Sequence, residues 1–232
     1  MRTYAIVLGG GSGTRMGMEI NKVLMPLRDI PTIVRAIAPF SGLCAGVVVV
    51  AREDELALMQ RIVERFGLGG AVHAVVAGGE SRQASVANGL AALPADAQAV
   101  LIHDGARALV REDVIRRVIA SVEDHGAGVA ALPVTDTIKR ASAEGLVLET
   151  LPRGELAAIQ TPQGFRVADI RQAHALAAQD GYIATDDAAL MEHAGLPVRL
   201  VQGSPENIKL TTLHDLHLAE AILAARDAEV EA

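Results

Sequence analysis

The strongest constraint on the fold of this chain is a regular alternation between short apolar runs and longer stretches with helical spacing. The apolar runs are rich in small and β-branched residues and occupy residues 4–8, 46–51, 71–77, 98–102 and 126–132. The stretches between them carry apolar residues at helical spacing and occupy residues 32–40, 54–66, 82–93 and 112–124. Short continuous apolar runs are typical of strands buried on both faces. The alternation therefore predicts an α/β fold with a parallel central sheet and helices on both of its faces.

The alternation ends after Pro133, where a charged and turn-prone stretch begins. Within it, residues 142–145 separate two short segments, 137–140 and 146–150, which is the pattern of a β-hairpin. We expect an arm at about residues 137–160 that leaves the main body.

A regular pattern resumes beyond the arm. It consists of helical spacing at 167–179 and 186–194, a strand at 198–201 and a last helix at 213–226. Thr212 and Asp215 stand where a capping box would begin that last helix. Because no linker, repeat or low-complexity segment interrupts the chain, we expect one domain over residues 1–232, which suits its length.

The composition excludes several classes of partner. The formal net charge is −7, no run of Lys and Arg is present, and the chain contains no Trp, two Tyr and three Phe. Such a chain offers neither the positive surface nor the aromatic side chains with which proteins hold nucleic acid. The longest apolar run, residues 43–51, is shorter than the roughly 20 residues of a membrane span, and residues 1–3 lack a signal-peptide layout. Since Cys44 is the single cysteine and cannot form an internal disulfide, we expect a cytoplasmic protein without membrane or nucleic-acid partners.

The first apolar run is followed at once by a loop in which glycine occupies positions 9, 10, 11 and 13. A backbone without side chains can surround a phosphate with its amides. The dinucleotide pattern G-x-G-x-x-G fails, because its last position falls on Thr14 or on Met16. The pattern G-x-x-x-x-G-K-[ST] also fails, because no glycine stands directly before Lys22. A nicotinamide dehydrogenase is therefore disfavoured, whereas a site for another phosphorylated ligand is expected.

Two cations accompany this loop. Arg15 and Lys22 lie seven residues apart, and no helical pattern separates them. Of the 21 basic residues three are lysines, Lys22, Lys139 and Lys209, so lysine is a rare choice for surface charge in this chain. Cations at a phosphate site can neutralise the negative charge that develops on phosphorus during substitution. Arg15 and Lys22 are candidates for that role, and the alternative is that they are solvated loop side chains.

Asp104 comes directly after the apolar run at 98–102. Open parallel sheets bind ligands beyond the carboxyl ends of their strands, so Asp104 should lie near the glycine loop. A carboxylate there can help to hold Mg²⁺, which prefers one or two carboxylates together with phosphate oxygens and water. The alternative is a turn cap paired with Arg107. The neighbouring His103 is expected to be structural, because the seven histidines show no zinc-ligand spacing.

A second glycine turn, at residues 78–79, leads into the helical stretch that begins at 82. Its backbone amides and the Ser85 hydroxyl are groups that a base or a sugar can bind. Alone, this turn indicates only that polar groups gather at the same edge of the sheet.

Taken in chain order, eight segments resemble one enzyme family. They are the glycine loop through residue 17, Lys22, residues 79–86, 103–107, 136–139, 161–165, 185–187 and 207–211. Together, and over nearly the whole chain, they resemble the 2-C-methyl-D-erythritol 4-phosphate cytidylyltransferase family of the non-mevalonate isoprenoid pathway.

This resemblance implies a Rossmann-like nucleotidyltransferase domain that dimerises through the hairpin arm at about 137–160. It also implies a reaction in which CTP and methylerythritol phosphate give 4-diphosphocytidyl-2-C-methyl-D-erythritol and pyrophosphate, with Mg²⁺ or another divalent cation. The partners implied are CTP, a polyol phosphate and a second copy of the chain.

The resemblance also implies a role for each matching residue. Arg15 and Lys22 would stabilise the pentacoordinate α-phosphate. The nucleotide would be bound by Gly9, Gly10, Gly11, Gly13, Gly79, Ser85 and Asp104, of which Asp104 also lies at the metal. The acceptor phosphate would be gripped by Arg153, Lys209, Thr137 and Arg107, with the arm residues entering the partner subunit's site.

The chain departs from the family's usual pattern in three places. The family has Ala-Ala-Gly where this chain has Gly at 9–11, Pro where it has Asn21, and Ala-Ala-Arg-Pro at 105–108, where it has Gly-Ala-Arg-Ala. A Gly-Gly start also occurs in ribitol 5-phosphate cytidylyltransferases, so synthesis of CDP-ribitol is one alternative function. A non-catalytic nucleotide-binding module is another, against which the retained Arg15 and Lys22 argue.

Overall fold

The computed structural model describes residues 1–10 and 21–231 and places in them a mixed α/β fold. The strands are β1 (Thr3–Leu8), β2 (Pro26–Leu27), β3 (Ile30–Pro31), β4 (Gly46–Ala51), β5 (Val72–Ala77), β6 (Ala99–Asp104), β7 (Ala127–Pro133), β8 (Lys139–Ala141), β9 (Val147–Thr150), β10 (Ala157–Arg166) and β11 (Leu200–Gln202). The helices are α1 (Thr32–Ile37), α2 (Leu56–Arg65), α3 (Arg82–Ala91), α4 (Glu112–His125), α5 (Val167–Asp180), α6 (Asp187–His193) and α7 (Leu213–Glu231).

Seven of these strands form one sheet in the order β11-β7-β10-β6-β1-β4-β5. The strands β6, β1, β4 and β5 run parallel, with Leu8 of β1 opposite Asp104 on one side and Val50 on the other. β11 runs parallel to β7, and β10 runs antiparallel between β6 and β7. The mostly parallel sheet confirms the predicted fold class.

Alternate residues of the central strands point to opposite faces of the sheet, as the strand geometry requires. On β1, Ala5 and Val7 enter one apolar cluster with α1, α2 and α4, whereas Tyr4 and Ile6 enter another with α3, α5 and α6. Both clusters are built from buried aliphatic side chains, which explains why the strands have continuous apolar sequences. Helices therefore cover both faces, as the alternation predicts.

The predicted hairpin is present. β8 and β9 pair antiparallel with Lys139 opposite Thr150, and the Ser142 N–H donates to the Leu146 carbonyl O at 2.9 Å across the turn. All the residues of both strands are exposed. The hairpin thus projects from the body of the protein.

β10 is an element that the sequence analysis did not predict. Its first residue, Ala157, already pairs with Pro133 of β7, so residues 157–160 belong to the central sheet and not to the arm. The strand escaped prediction because it carries Gln160, Thr161 and Gln163 in place of an apolar run. These polar side chains are buried nonetheless, since other parts of the chain supply their hydrogen-bond partners.

Smaller differences concern element ends. The stretch at 32–40 divides into α1 and a 3₁₀ turn at Ala38–Phe40, and the short antiparallel pair β2–β3 was not predicted. The capping box of α7 is confirmed, because the Thr212 N–H donates to the Asp215 carboxylate (2.7 Å) and the Asp215 N–H donates to the Thr212 hydroxyl (3.3 Å). Among the helices of the described ranges, none is both long and apolar enough to cross a bilayer.

Candidate active site

The carboxyl ends of four parallel strands bring the polar segments of the sequence to one edge of the sheet. The Gly9 N–H donates to the Val50 carbonyl O at 2.6 Å, which ties the start of the glycine loop to the end of β4. The Gly105 N–H donates to the Leu8 carbonyl O at 2.9 Å, which ties the residue after Asp104 to the end of β1. A Cβ at Gly105 would lie 2.7 Å from that same carbonyl O, so only glycine permits this approach.

The second glycine turn lies beside the first. The Gly78 N–H donates to the Ala51 carbonyl O (2.8 Å), and the Gly79 N–H donates to the Ser85 hydroxyl (3.0 Å). Ser81 caps α3 by accepting from the Ala84 N–H at 3.0 Å. Gly79 and Ser85 are therefore in contact with each other.

Asp104 is at the centre of a charged cluster. Its carboxylate lies 2.7 Å from the Lys209 Nζ and 3.6 Å from the Arg82 Nε, and its side chain is 12% exposed. Burial alone would raise the pKa of Asp104, but the charges of Lys209, Arg82 and Arg107 outweigh it and lower the pKa to about 2. Asp104 is thus a carboxylate at neutral pH, and its contact with Lys209 is one that the sequence analysis did not predict.

The alternative assignment of Asp104, a turn cap paired with Arg107, matches the turn between the two residues, but the Arg107 side chain makes its hydrogen bond elsewhere. The Arg107 Nη1 donates to the Asn207 carbonyl O at 2.7 Å, while the backbone N–H of Arg107 closes a turn on the Asp104 carbonyl O at 2.9 Å. The guanidinium of Arg107 therefore fixes the segment that carries Lys209.

Arg82 and Asp187 were not singled out by sequence reasoning. The Arg82 Nη2 donates to the Asp187 Oδ2 at 2.6 Å, and Asp187 is fully buried. Burial raises the pKa of Asp187, an effect that Arg82 opposes. One signal was available: Arg82 begins α3, where the helix dipole disfavours a cation, and such a residue needs an acidic partner elsewhere.

A buried chain of hydrogen bonds holds Asp104 from β10. The Asp104 N–H donates to the Thr161 hydroxyl (3.0 Å), and the Thr161 Oγ1 lies 3.0 Å from the His103 Nδ1. The His103 Nε2 lies 3.1 Å from the Arg107 carbonyl O, which can only accept, so Nε2 carries the proton. Burial lowers the pKa of His103 to about 4, which keeps the ring neutral and structural, as expected.

The same strand also holds the Lys209 segment. The Asn207 Nδ2 donates to the Thr161 carbonyl O (2.8 Å), and the Gln160 Nε2 donates to the Ser204 carbonyl O (2.9 Å). β10 therefore fixes both members of the Asp104–Lys209 pair.

Lys22 begins a 3₁₀ turn, Lys22–Leu24, and its side chain is half-buried. Asn21 caps this turn by accepting from the Val23 N–H at 3.3 Å. Gly11, Gly13 and Arg15 lie outside the described residues.

Thr137 and Arg153 lie apart from this cluster. Both are exposed, and the Arg153 Nη1 donates at 2.8 Å to the carbonyl O of Thr135, which lies just before the arm. In the part of the chain that the structure describes, no hydrogen bond or ion pair connects either residue to Asp104 or Lys209.

The donor set around Asp104 determines what metal it could hold. No group of three or more His, Cys, Asp or Glu side chains in residues 1–10 and 21–229 is arranged to bind a metal ion. Asp104 supplies one carboxylate between cations, and Mg²⁺ is commonly held by one carboxylate together with phosphate oxygens and water. The residues therefore fit a Mg²⁺ that arrives with a polyphosphate and not a resident all-protein site.

Comparisons with known proteins agree with this geometry. The model of the family described as 2-C-methyl-D-erythritol 4-phosphate cytidylyltransferase (IspD) matches residues 3–225. The enzyme of that name from Pelotomaculum thermopropionicum is 45% identical, over 97% of this chain and 95% of its own length. The one from Geobacillus kaustophilus is also 45% identical, over 99% of this chain and its full length.

Solved structures are similar over the same extent. The 4-diphosphocytidyl-2C-methyl-D-erythritol synthase of Anaerococcus prevotii superposes with a TM-score of 0.84 at 27% identity, covering 96% of this chain and 98% of its own. The 2-C-methyl-D-erythritol 4-phosphate cytidylyltransferase of Thermus thermophilus gives a TM-score of 0.77 at 32% identity, with the same coverage.

Proposed function

The chain belongs to the 2-C-methyl-D-erythritol 4-phosphate cytidylyltransferase family, and we propose that it transfers the cytidylyl group of CTP to 2-C-methyl-D-erythritol 4-phosphate at the edge of the sheet just described. The products are 4-diphosphocytidyl-2-C-methyl-D-erythritol and pyrophosphate, and the reaction belongs to isoprenoid precursor synthesis. The single observation that carries this assignment is the Asp104–Lys209 pair, 2.7 Å apart, beside two glycine turns in a chain with this family match.

The nucleotide would lie across the ends of β1, β5 and β6. Backbone groups recognise the base there, since glycine leaves the amides uncovered. The residues assigned to the nucleotide in this proposal are Gly9, Gly10, Gly11, Gly13, Gly79, Ser85 and Asp104.

The chemistry needs charge stabilisation more than proton transfer. An oxygen of the acceptor phosphate, already anionic, attacks the α-phosphorus of CTP, and the bond to pyrophosphate breaks in line with the new one. Negative charge grows on the equatorial oxygens and on the leaving group, and Arg15 and Lys22 neutralise it in this proposal. No side chain has to act as a general base.

Asp104 would hold Mg²⁺ together with the CTP phosphates. When bound, the cation would neutralise phosphate charge and assist the departure of pyrophosphate. The contact of Lys209 with Asp104 at 2.7 Å keeps the lysine close to the place where the acceptor phosphate would enter.

The acceptor would be held by Lys209 and Arg107 of one subunit and by Thr137 and Arg153 of its partner. The exposed hairpin, whose residues Leu146, Val147 and Leu148 are 67%, 63% and 62% exposed, supports a homodimer formed through the arm.

The half-buried thiol of Cys44, whose pKa burial raises to about 12, supports a protein of the reducing cytoplasm, where such a thiol stays inert.

The assay that tests this function measures pyrophosphate release with Mg²⁺ and CTP, adding methylerythritol phosphate or ribitol 5-phosphate in parallel. We expect turnover with methylerythritol phosphate and at least a 100-fold preference for it, on the order of what paired polar contacts provide. Turnover with ribitol 5-phosphate alone would assign the chain to CDP-ribitol synthesis. Silence with both acceptors, in protein that still binds CTP, would favour a nucleotide-binding module.

A further inference from the structure

We propose that the carboxamide of Asn21 is a positioning device for Lys22, acting through hydrogen bonds to the Gly9 carbonyl and the Glu55 carboxylate. We call this set of three groups the Asn21 latch. The proposal rests on the function proposed for Lys22 and adds the residues that hold it in place.

The contacts of Asn21 use every hydrogen-bonding atom of its side chain. The Nδ2 donates to the Gly9 carbonyl O at 2.7 Å and to the Glu55 Oε2 at 2.7 Å. The Oδ1 accepts from the Val23 N–H at 3.3 Å, and Asn21 is 2% exposed. A buried amide with all its partners in place has one well-defined orientation, because any other rotamer leaves polar groups unpaired.

The latch joins three segments that are distant in sequence. Gly9 follows β1 and begins the glycine loop, Glu55 precedes α2, and Lys22 is the residue directly after Asn21. The hydrogen bond from Asn21 to the Gly9 carbonyl O holds Asn21 against the residue that follows β1. This contact holds the backbone of Lys22 at a fixed position relative to the end of β1, where the nucleotide would bind.

Backbone conformation does not explain why asparagine occupies this position. Asn21 has φ −60° and ψ 119°, which any residue adopts. Capping of the 3₁₀ turn does not explain it either, because Ser, Thr and Asp accept that hydrogen bond equally well. Among these capping residues, asparagine alone also carries two N–H donors, and two acceptor oxygens face them here.

The most direct variant is Asn21→Asp, which keeps the shape and the oxygen that caps the turn but cannot donate when ionised. It also places a carboxylate against the Gly9 carbonyl and the Glu55 carboxylate. We expect kcat to fall on the order of 10- to 100-fold, as for a misplaced catalytic group, with the KM for CTP changed less than threefold. The double variant Asn21→Asp/Glu55→Gln restores a donor facing an acceptor, and we expect it to recover part of the lost kcat.

Asp54→Asn is the matched control. Asp54 lies next to Glu55 but is exposed and paired with Arg52 at 2.8 Å. Asp54→Asn removes a carboxylate from the same turn, as Glu55→Gln does, but touches none of the three groups of the latch, so kcat should stay within twofold of wild type.

A second readout is independent of activity. The chain has three lysines, so reductive ¹³C-methylation gives three lysine signals in NMR spectra, which substitution of each lysine assigns. We expect Asn21→Asp to move the Lys22 signal and to leave that of Lys139, on the exposed hairpin, in place. This experiment distinguishes failure of the latch from failure of the proposed function, because it needs no turnover.

The outcomes divide as follows. A lowered kcat that the double variant partly recovers, together with a shifted Lys22 signal, supports the latch. Wild-type kcat in Asn21→Asp overturns it, as does a lowered kcat with an unmoved Lys22 signal, which would indicate a merely structural loss. If the wild-type protein turns over neither acceptor, the proposed function fails, and an unmoved Lys22 signal would then overturn the latch as well.

Discussion

Each of the three lysines has a different environment, and this difference makes the role of Lys22 testable by single substitutions. Lys209 is bound to Asp104, Lys139 donates to the Thr150 hydroxyl on the hairpin, and Lys22 lies half-buried in its 3₁₀ turn. We expect Lys22→Ala to lower kcat on the order of 10²- to 10³-fold, because one electrostatic contact to the developing charge is lost.

The melting temperature separates this effect from unfolding. Lys22→Ala should keep a melting temperature well above the assay temperature, so that the lost turnover reflects the missing cation and not unfolded protein. Arg116→Ala, which removes one positive charge from an exposed pair with Glu112 on α4, is the control and should retain full activity. Near-normal turnover of Lys22→Ala would contradict the assigned role.

Asp104 predicts a pH dependence of stability. Its folded pKa of about 2 lies below the ordinary value of 3.8, so ionised Asp104 stabilises the fold above that value, and the stabilisation is lost as the pH falls toward 2. We expect wild type to exceed Asp104→Asn in free energy of unfolding by an amount that shrinks by about 1 kcal/mol between pH 5 and pH 3. Urea unfolding of both proteins at the two pH values measures this. A difference that stays constant would show that Lys209 and Arg82 do not depress this pKa.

At the scale of secondary-structure elements, the hairpin of β8 and β9 is exposed along both of its strands. Its apolar side chains Leu146, Val147 and Leu148 are mostly exposed. Neighbouring exposed apolar side chains are typical of a protein–protein contact, because their burial there is favourable. We expect light scattering to give a dimer for wild type and a monomer of 24.2 kDa for Leu148→Glu, with unchanged circular dichroism.

The control for that prediction is Leu58→Glu, which places the same charge at an exposed leucine of α2. It should remain dimeric, because α2 lies outside the arm. A monomeric wild-type protein under assay conditions would rule out the dimer through the hairpin.

β10 shows how an element can position a site without being visible in the hydrophobic pattern. Its buried Thr161 binds the Asp104 backbone, and its Gln160 binds the segment leading to Lys209. In sequence these residues resemble an exposed, turn-prone stretch. Their burial depends on partners more than 40 residues away, which local periodicity cannot register.

At the scale of the whole molecule, the Arg82–Asp187 pair links the two halves of the chain. We expect Arg82→Ala to lower the free energy of unfolding by about 3–5 kcal/mol, because it leaves the buried Asp187 without its partner. The double variant Arg82→Ala/Asp187→Asn should lose less, since it removes the stranded charge. Chemical denaturation of wild type, both single variants and the double variant measures the coupling between them.

The surface pair of Arg117 and Asp113 on α4 offers a comparison for that cycle. It also has a short contact, 3.0 Å, but its carboxylate is 58% exposed, so the loss of that carboxylate in Asp113→Asn should cost less than about 1 kcal/mol. Equal costs for the two pairs would mean that burial of Asp187 does not determine the penalty.

The amino-acid sequence by itself determined the α/β class, the order of most elements, the hairpin and the capping box of α7, because these follow from periodicity and from local turn and cap chemistry. It also determined that Asp104 and the two glycine turns meet, because parallel strands end at one edge of a sheet. Only the tertiary structure decided that β10 enters the sheet, that Arg82 joins Asp104 to Asp187, and that Asn21 binds both Gly9 and Glu55. Each of these rests on a polar group whose partner is remote in sequence, and a polar residue does not reveal from its own neighbours whether folding will bury and pair it.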